Sequence, residues 1–146
     1  MSLYWQERYA EAEAAFRAAI RLKPDYVRAH CDLGEMLDER HRYADAEAAY
    51  RAAVRITPES VTAQTGLAGV LLAERRYAEV EAACREAIRL NPDEARAHFH
   101  LWDALEALGQ WRELAAAARA VIERKPDHAD AHARLLRALQ ALAKLQ

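Results

Sequence analysis

Residues 27–60, VRAHCDLGEMLDERHRYADAEAAYRAAVRITPES, decide the fold of this chain. Apolar residues recur at a spacing near 3.6 in VRAHCDLGEMLDE and again in YADAEAAYRAAVRI, and the polar segment RHR separates the two blocks. A strand would instead show alternation with a period of 2. The stretch therefore predicts two helices, helix A over Val27–Glu39 and helix B over Tyr43–Ile56.

The same pattern recurs along the whole chain. The four prolines, Pro24, Pro58, Pro92 and Pro126, are each 34 residues after the previous one, where helix B must end. This period divides the 146 residues into a partial repeat at 1–26 (mainly helix B), full repeats at 27–60, 61–94 and 95–128, and a final helix A at 129–146. Positions within a repeat are counted below with proline as position 32.

The residues after the prolines predict helix caps. Aspartate follows three of them, as Asp25, Asp93 and Asp127, and Glu59-Ser60 follows the other. A side-chain oxygen before a helix accepts a hydrogen bond from a free backbone N–H of the first turn. We therefore expect these residues to cap the next helix A.

The repeat resembles the tetratricopeptide repeat (TPR) family. The family's motif has large apolar or aromatic residues at positions 7, 11, 17 and 24, small residues at 8, 20 and 27, and proline at 32. The repeat at 27–60 supplies Leu33, Gly34, Leu37, Tyr43, Ala46, Tyr50, Ala53 and Pro58. The resemblance covers essentially the whole chain and implies an all-α fold, a right-handed α-solenoid of antiparallel helix hairpins in one domain, residues 1–146.

The third full repeat departs from the motif at two positions. Trp102 occupies position 8, where a small residue is usual, and Ala118 occupies position 24, where a bulky one is usual. The earlier repeats have Gly34 with Tyr50 and Ala68 with Cys84 at these positions, so volume is exchanged between the two columns. We predict that Trp102 fills the space over Ala118.

The resemblance also implies a peptide-binding groove. In the family, the concave surface is lined by helix A at positions 2, 5, 9, 12 and 13, which share one helical face. The groove residues carried over to this chain are Arg28, Cys31, Glu35, Asp38, Glu39, Thr62, Thr65, Gly69, Leu72, Arg96, Phe99, Asp103, Glu106 and Arg137.

The composition of this groove suggests a ligand. Leu72 and Phe99 are apolar at positions that face solvent in an empty groove, and five carboxylates surround them. We hypothesise a bound segment, extended or helical, with one apolar anchor and one or more Lys or Arg residues. Two alternatives stay open. Leu72 and Phe99 could instead pack against neighbouring helices, and Gly69 could serve either close helix approach or a ligand side chain.

Other features of the family are missing. Some members hold a C-terminal carboxylate of a chaperone with lysine and asparagine side chains. The only asparagine of this chain, Asn91, precedes a proline outside the groove, and groove position 5 holds Cys31, Thr65 and Phe99. We do not expect such a tail as ligand.

Charge and hydropathy bear on the partner class. The formal net charge of −2 gives no field that favours nucleic acid or an anionic membrane. The longest apolar run, residues 67–73, is too short to span a bilayer, and residues 1–10 do not resemble a signal peptide. Cys31 and Cys84 are too few for a disulfide scaffold, which favours a cytoplasmic location.

A row of charged residues on helix B and a basic patch in the turns are expected on the outside. Helix B has glutamate at position 21 and arginine four residues later, a favourable helical pair, and we interpret this row as a solvated face. Arg40-His41-Arg42 and Arg75-Arg76 form a basic patch in the turns, interpreted as a solubilising loop.

The sequence predicts neither enzyme chemistry nor a cofactor or metal. It has no glycine-rich phosphate loop, HExxH motif or nucleophile elbow. His30, His98 and His132 share position 4, but whole hairpins separate them, so they cannot ligate one ion.

Two function classes follow. The first is a scaffold that binds a peptide segment of another protein in the groove. The alternative is a part of a larger protein that presents substrate to an attached enzyme domain, such as a glycosyltransferase, or that self-assembles through its ends. The last helix has leucines beyond one contact face, and the first segment contains Leu3, Tyr4 and Trp5. A homo-oligomer through exposed solenoid ends is therefore a possible partner state.

Overall fold

The computed structural model describes residues 2–146, which form helices and turns without a strand. The helices are α1 (Leu3–Leu22), α2 (Val27–Glu39), α3 (Tyr43–Ile56), α4 (Val61–Ala73), α5 (Tyr77–Leu90), α6 (Ala95–Ala107), α7 (Trp111–Arg124) and α8 (Ala129–Lys144). The bounds predicted for α2 and α3 agree with the structure. None of these helices has the length and apolar character needed to cross a membrane.

Each helix packs mainly against its neighbours in the chain. Helices α2, α4, α6 and α8 correspond to helix A, and α1, α3, α5 and α7 correspond to helix B. Every helix contacts the next along the chain, and α4 also contacts both α2 and α6. The chain is thus an all-α solenoid in which the A helices of the full repeats form a continuous layer.

The turn from helix A to helix B has the same geometry in all three full repeats. The residue at position 15 is left-handed, with φ of 60° at His41, 59° at Arg75 and 68° at Gly109. The next N–H donates back to the last turn of helix A, as from Arg42 to the Leu37 carbonyl at 2.9 Å. This is a Schellman motif, which satisfies carbonyls that the helix leaves free.

The first helix is longer than the repeat predicts. Helix B starts at position 17 in the full repeats, which is Tyr9 in the partial one, but α1 starts at Leu3. Glu7 therefore lies within a helix, although it has the position of the left-handed His41. The described chain has no helix A packed beside residues 3–8, so no contact there opposes continuation of the helix.

The predicted aspartate caps are wrong. The residues that precede helix A are Tyr26, Ser60, Glu94 and His128. Asp25, Asp93 and Asp127 lie one residue too early to reach the first turn. Only Ser60 behaves as expected, because its hydroxyl accepts from Ala63 N at 3.2 Å. His128 caps α8 through Nδ1, which accepts from Ala131 N at 3.2 Å.

Position 4 connects each helix A to the proline before it. The Nε2 atoms of His30, His98 and His132 lie 2.9, 2.8 and 2.7 Å from the carbonyl oxygens of Pro24, Pro92 and Pro126. Gln64 donates through its amide to Pro58 O at 3.3 Å. Each of these carbonyls follows the end of a helix B and precedes a turn. The side chains at position 4 therefore stabilise the turns between repeats through these hydrogen bonds.

In the repeat at 27–60, position 8 packs against position 24, as the volume exchange predicts. A Cβ placed on Gly34 would lie 2.9 Å from Cε2 of Tyr50. In the third repeat, Trp102 and Ala118 are both fully buried. The indole packs edge-on against Phe99, with ring centroids 5.1 Å apart, and against His128, at 5.9 Å. Trp102 thus points neither to solvent nor into an open groove, and its contact with Ala118 stays a prediction.

Candidate functional site

The layer of A helices brings the predicted groove residues of different repeats onto one surface. Asp38 at the end of α2 and Arg96 at the start of α6 belong to repeats that are not adjacent. The two side chains are nevertheless close enough for the charge of Arg96 to affect the pKa of Asp38. Residues at the end of α2 and at the start of α6 therefore lie on the same side of the solenoid.

The predicted groove residues differ in exposure. Arg28, Glu35, Glu39, Thr62, Arg96 and Arg137 are exposed. Asp38, Gly69, Leu72, Phe99, Asp103 and Glu106 are half-buried, and Cys31 and Thr65 are buried.

The prediction that Cys31 and Thr65 line the groove surface needs correction. Their exposed fractions are 6% and 2%, so position 5 faces the packing between helices in these two repeats. Burial also raises the pKa of the Cys31 thiol, with the neighbouring Asp32 adding to the effect. Neither residue presents a functional group to a ligand in this conformation.

The space beside Gly69 is occupied by a side chain that sequence reasoning missed. A Cβ on Gly69 would lie 3.3 Å from Nε2 of His100. Desolvation by burial lowers the pKa of the His100 imidazole. The imidazole of α6 thus covers this part of α4, which agrees with close helix approach rather than with a pocket for a ligand. Position 6 holds glycine in the previous repeat, so the motif gave no signal for His100.

The two predicted anchors are half-buried. Leu72 and Phe99 both pack partly against the hydrophobic core and keep part of their surface in solvent. The ring of Phe99 packs against Trp102. Packing and ligand contact are therefore compatible in these residues, because one edge of each side chain is already fixed and the other is free.

The carboxylates at the α6 end are already paired within the chain. Arg134 of α8 contacts Asp103 at 2.7 Å and Glu106 at 2.8 Å, and Arg137 pairs with the other oxygen of Glu106. The side chain of Arg134 is 21% exposed, so this pairing lies partly out of water. Sequence reasoning missed Arg134, which is at position 6 and outside the family's groove positions. Because Asp103 and Glu106 are paired with these arginines, the α6 end of the predicted groove has little unpaired negative charge.

The carboxylates at the α2 end remain unpaired. Among residues 2–146, no Lys, Arg or His forms an ion pair with Glu35, Asp38 or Glu39. Burial raises the pKa of the Asp38 carboxyl, and the charge of Glu35 adds to this, while Arg96 and His41 oppose it. A carboxyl with a raised pKa is one whose charged form lacks full stabilisation. A cation from a ligand would supply it.

The outer charges form a ladder across repeats. Glu13 accepts from Arg17 at 2.9 Å and from Arg42 of the next repeat at 2.7 Å. Glu47 accepts in the same way from Arg51 and Arg76, both at 2.7 Å. The ladder does not continue at Glu81, because Gln110 occupies the position that Arg42 and Arg76 have in the earlier repeats.

The turn patch is largely compensated. Arg42 and Arg76 belong to the ladder, and the guanidinium of Arg40 lies over the ring of Tyr9, 4.8 Å from its centroid. The side chains of Arg40, Arg42 and Arg76 are thus engaged in contacts within the solenoid.

Comparison with known proteins agrees with this architecture. A model of the tetratricopeptide repeat family matches residues 1–61 and 37–95. No curated protein matches the chain.

Solved structures share the fold at low sequence identity. MamA superposes with a TM-score of 0.84 at 19% identity, over 96% of this chain and 76% of that one. YrrB, described as a TPR protein with an unusual peptide-binding site, has a TM-score of 0.77 at 23% identity, over 93% and 70%. The first TPR of Spaghetti (RPAP3), bound to the HSP90 peptide SRMEEVD, has a TM-score of 0.72 at 23% identity, over 80% and 93%. By its repeats, its helix packing and the family model that matches it, the chain belongs to the tetratricopeptide repeat family.

Proposed function

We propose that the concave surface binds a peptide segment of another protein, with a Lys or Arg of the peptide at the α2 end. The observation that carries the proposal is the unequal pairing of the groove carboxylates. Among the described residues Glu35, Asp38 and Glu39 form no ion pair, and Arg96 and His41 act on Asp38 only through their more distant charge, whereas Asp103 and Glu106 are paired with Arg134 and Arg137. A basic side chain therefore gains most next to α2.

An apolar residue of the same peptide contacts Leu72 and Phe99. Both side chains are held along one edge by the core and exposed along the other, so binding them costs little conformational entropy. An anchor in such a partly preformed site, next to charges that fix the register, is a common way to recognise a short segment.

The solved structures support peptide binding as a use of this fold. The ligand that we expect for this chain nevertheless differs from the peptide named for RPAP3. The peptide named for RPAP3 is rich in acidic residues. Lys and Asn side chains of the kind that hold a terminal carboxylate are missing from the predicted groove of this chain. We accordingly expect a basic internal segment rather than an acidic C-terminus.

The test is a peptide-display screen against the wild-type chain and two variants. The groove variant carries Glu35→Gln, Asp38→Asn and Glu39→Gln. The control variant carries Glu113→Gln, Glu123→Gln and Asp127→Asn, three exposed carboxylates of α7 and the turn after it, and has the same net charge. Helicity is measured for all three proteins.

The expected result is enrichment of peptides with one basic and one apolar residue on the wild type and the control but not on the groove variant. Equal enrichment on all three proteins, or no enrichment on the wild type, would contradict the proposal.

A further inference from the structure

The two terminal helices of the described chain are unlike halves of one repeat. Helix α1 has the residues of a helix B and packs on α2 of the next repeat, but the described chain holds no helix A of its own repeat; α8 has the residues of a helix A and packs on α7 of the previous repeat, but the described chain holds no helix B of its own repeat. Every other helix of either kind packs against its counterpart within a hairpin.

Helix α8 exposes the face that helix B covers elsewhere. Position 11 is at most 1% exposed in Leu37, Leu71 and Leu105, but Leu139 of α8 is 42% exposed. At position 8, Trp102 and Ala68 are fully buried, whereas Leu136 is 58% exposed. These two leucines form an apolar ridge of which about half stays open to solvent in the described chain.

Helix α1 exposes the matching face. Ala12, Ala15 and Ala19 have the same positions as Ala46, Ala49 and Ala53 of α3, which are buried. In α1 none of the three is buried, and Ala15 is exposed. In the repeat at 27–60, these alanine positions belong to α3, which packs on α2, and the alanines share one buried core with Leu33 and Leu37.

We infer that α8 of one molecule packs against α1 of a second copy, so that the two molecules complete one repeat between them. The pairing repeats the leucine and alanine columns of the α2–α3 hairpin, with Leu135 and Leu139 in place of Leu33 and Leu37. A leucine ridge against small residues interdigitates, as native helix packing does. Two α8 ridges packed together would instead oppose Leu136 to Leu136.

The position 8 residue makes the new hairpin wider than α2–α3. Leu136 would face Phe16, whereas Gly34 faces Tyr50. The third repeat buries the large Trp102 at this position, but its position 24 is the small Ala118. Leu136 and Phe16 are both large, so α8 and α1 must lie further apart than the helices of that repeat. The contact joins different surfaces of the two molecules, so each copy keeps one free end, and the assembly grows as a chain with concentration.

The test uses two variants that each destroy one face. Leu136→Asp removes the ridge, and Ala15→Asp places a charge in the alanine face. The control, Ala14→Asp, puts the same charge on the neighbouring residue, which is exposed in α1 as its counterpart Ala48 is in α3. All three sites are exposed in one molecule, so the helicity of each variant should equal that of the wild type.

Light scattering over a concentration series gives the expected pattern. The wild type and Ala14→Asp self-associate, and each face variant alone is still monomeric at the concentration at which the wild type first associates. Each face variant weakens association by about tenfold or more, the effect of losing one buried leucine-sized contact. An equimolar mixture of Leu136→Asp and Ala15→Asp forms a one-to-one dimer that does not grow, because only one intact pair of faces remains.

Three results would overturn the inference: a wild type that stays monomeric, a mixture that stays monomeric, or self-association of Ala15→Asp alone through its intact α8. The groove carboxylates lie outside both faces, so the groove variant described above associates like the wild type whether or not it binds peptide.

Discussion

The ring of Tyr50 packs on Gly66 of the next repeat so closely that a Cβ there would overlap it. Gly34 touches the same ring from its own repeat, where a Cβ would lie 2.9 Å from Cε2. Tyr50 thus holds two repeats together through two glycines, and these glycines are required by contact rather than by backbone conformation.

Gly66→Ala should therefore destabilise the chain, although alanine is the better helix former. Overpacking against a buried ring costs about 1–3 kcal/mol, which exceeds the gain of about 1 kcal/mol in helix propensity. Urea unfolding measures the difference. The matched control is Gly69→Ala, whose Cβ would meet only the end of the His100 side chain, at 3.3 Å. We expect this variant to be neutral or more stable by up to about 1 kcal/mol. A loss of stability at Gly69 equal to that at Gly66 would contradict this account.

Arg75→Gly should stabilise the chain. Arg75 is left-handed, with φ of 59°, and a side chain in that region costs about 1 kcal/mol relative to glycine. Arg75 is exposed, so its removal loses little packing. Gly109→Ala is the reverse change at the same repeat position, and its Cβ would have no contact closer than 3.9 Å. Thermal unfolding should show opposite shifts of similar size, and shifts of the same sign would exclude backbone strain as the cause.

The hydrogen bond from position 4 predicts a second pair of variants. His98→Leu removes the donor to Pro92 O, which lies 2.8 Å from Nε2, and should cost about 0.5–1.5 kcal/mol. His98→Gln should retain most of the stability, because Gln64 makes the same contact in the previous repeat. Equal losses in the two variants would show that packing of the ring, not donation, is what matters.

Local features of this fold could be read from the sequence because the repeat presents each one several times. The 34-residue spacing of proline and the apolar columns gave the bounds of α2 and α3, and the Gly34–Tyr50 pair followed from volumes at two columns. The caps were mistaken, since an aspartate after proline lies one residue away from the position that reaches the first turn.

Features that depend on superhelical geometry could not be read in this way. Arg134 reaches Asp103, 31 residues earlier, and His100 covers Gly69 of the previous repeat; both contacts depend on the distance between adjacent A helices. The motif describes single repeats and does not specify the distance between the A helices of adjacent repeats. The same limit applies to the groove, where Cys31 and Thr65 have the family's groove positions and are nevertheless buried.

Asp38→Asn separates stability from binding. Burial raises the pKa of Asp38 in the folded chain, so the folded state binds the proton more tightly than the unfolded state does. Between the unfolded and the folded pKa, stability contributed by this group is therefore lost as pH rises, and above both values the charged carboxylate is destabilising. The asparagine variant should be as stable as the wild type or more stable at pH 7, and the difference should vanish at a pH below both values.

Binding of a basic peptide should respond in the opposite direction. The peptide's cation interacts with the charged form of Asp38, so affinity falls as pH is lowered through the raised pKa of this group, before an ordinary exposed aspartate would titrate. Asp38→Asn should bind more weakly at pH 7 and lose this part of the pH dependence, and Asp127→Asn should change neither. Titration calorimetry with one enriched peptide at several pH values measures both effects. An Asp38→Asn variant that binds as tightly as the wild type at pH 7 would remove this carboxylate from the site and leave Glu35 and Glu39 as its only acidic contacts.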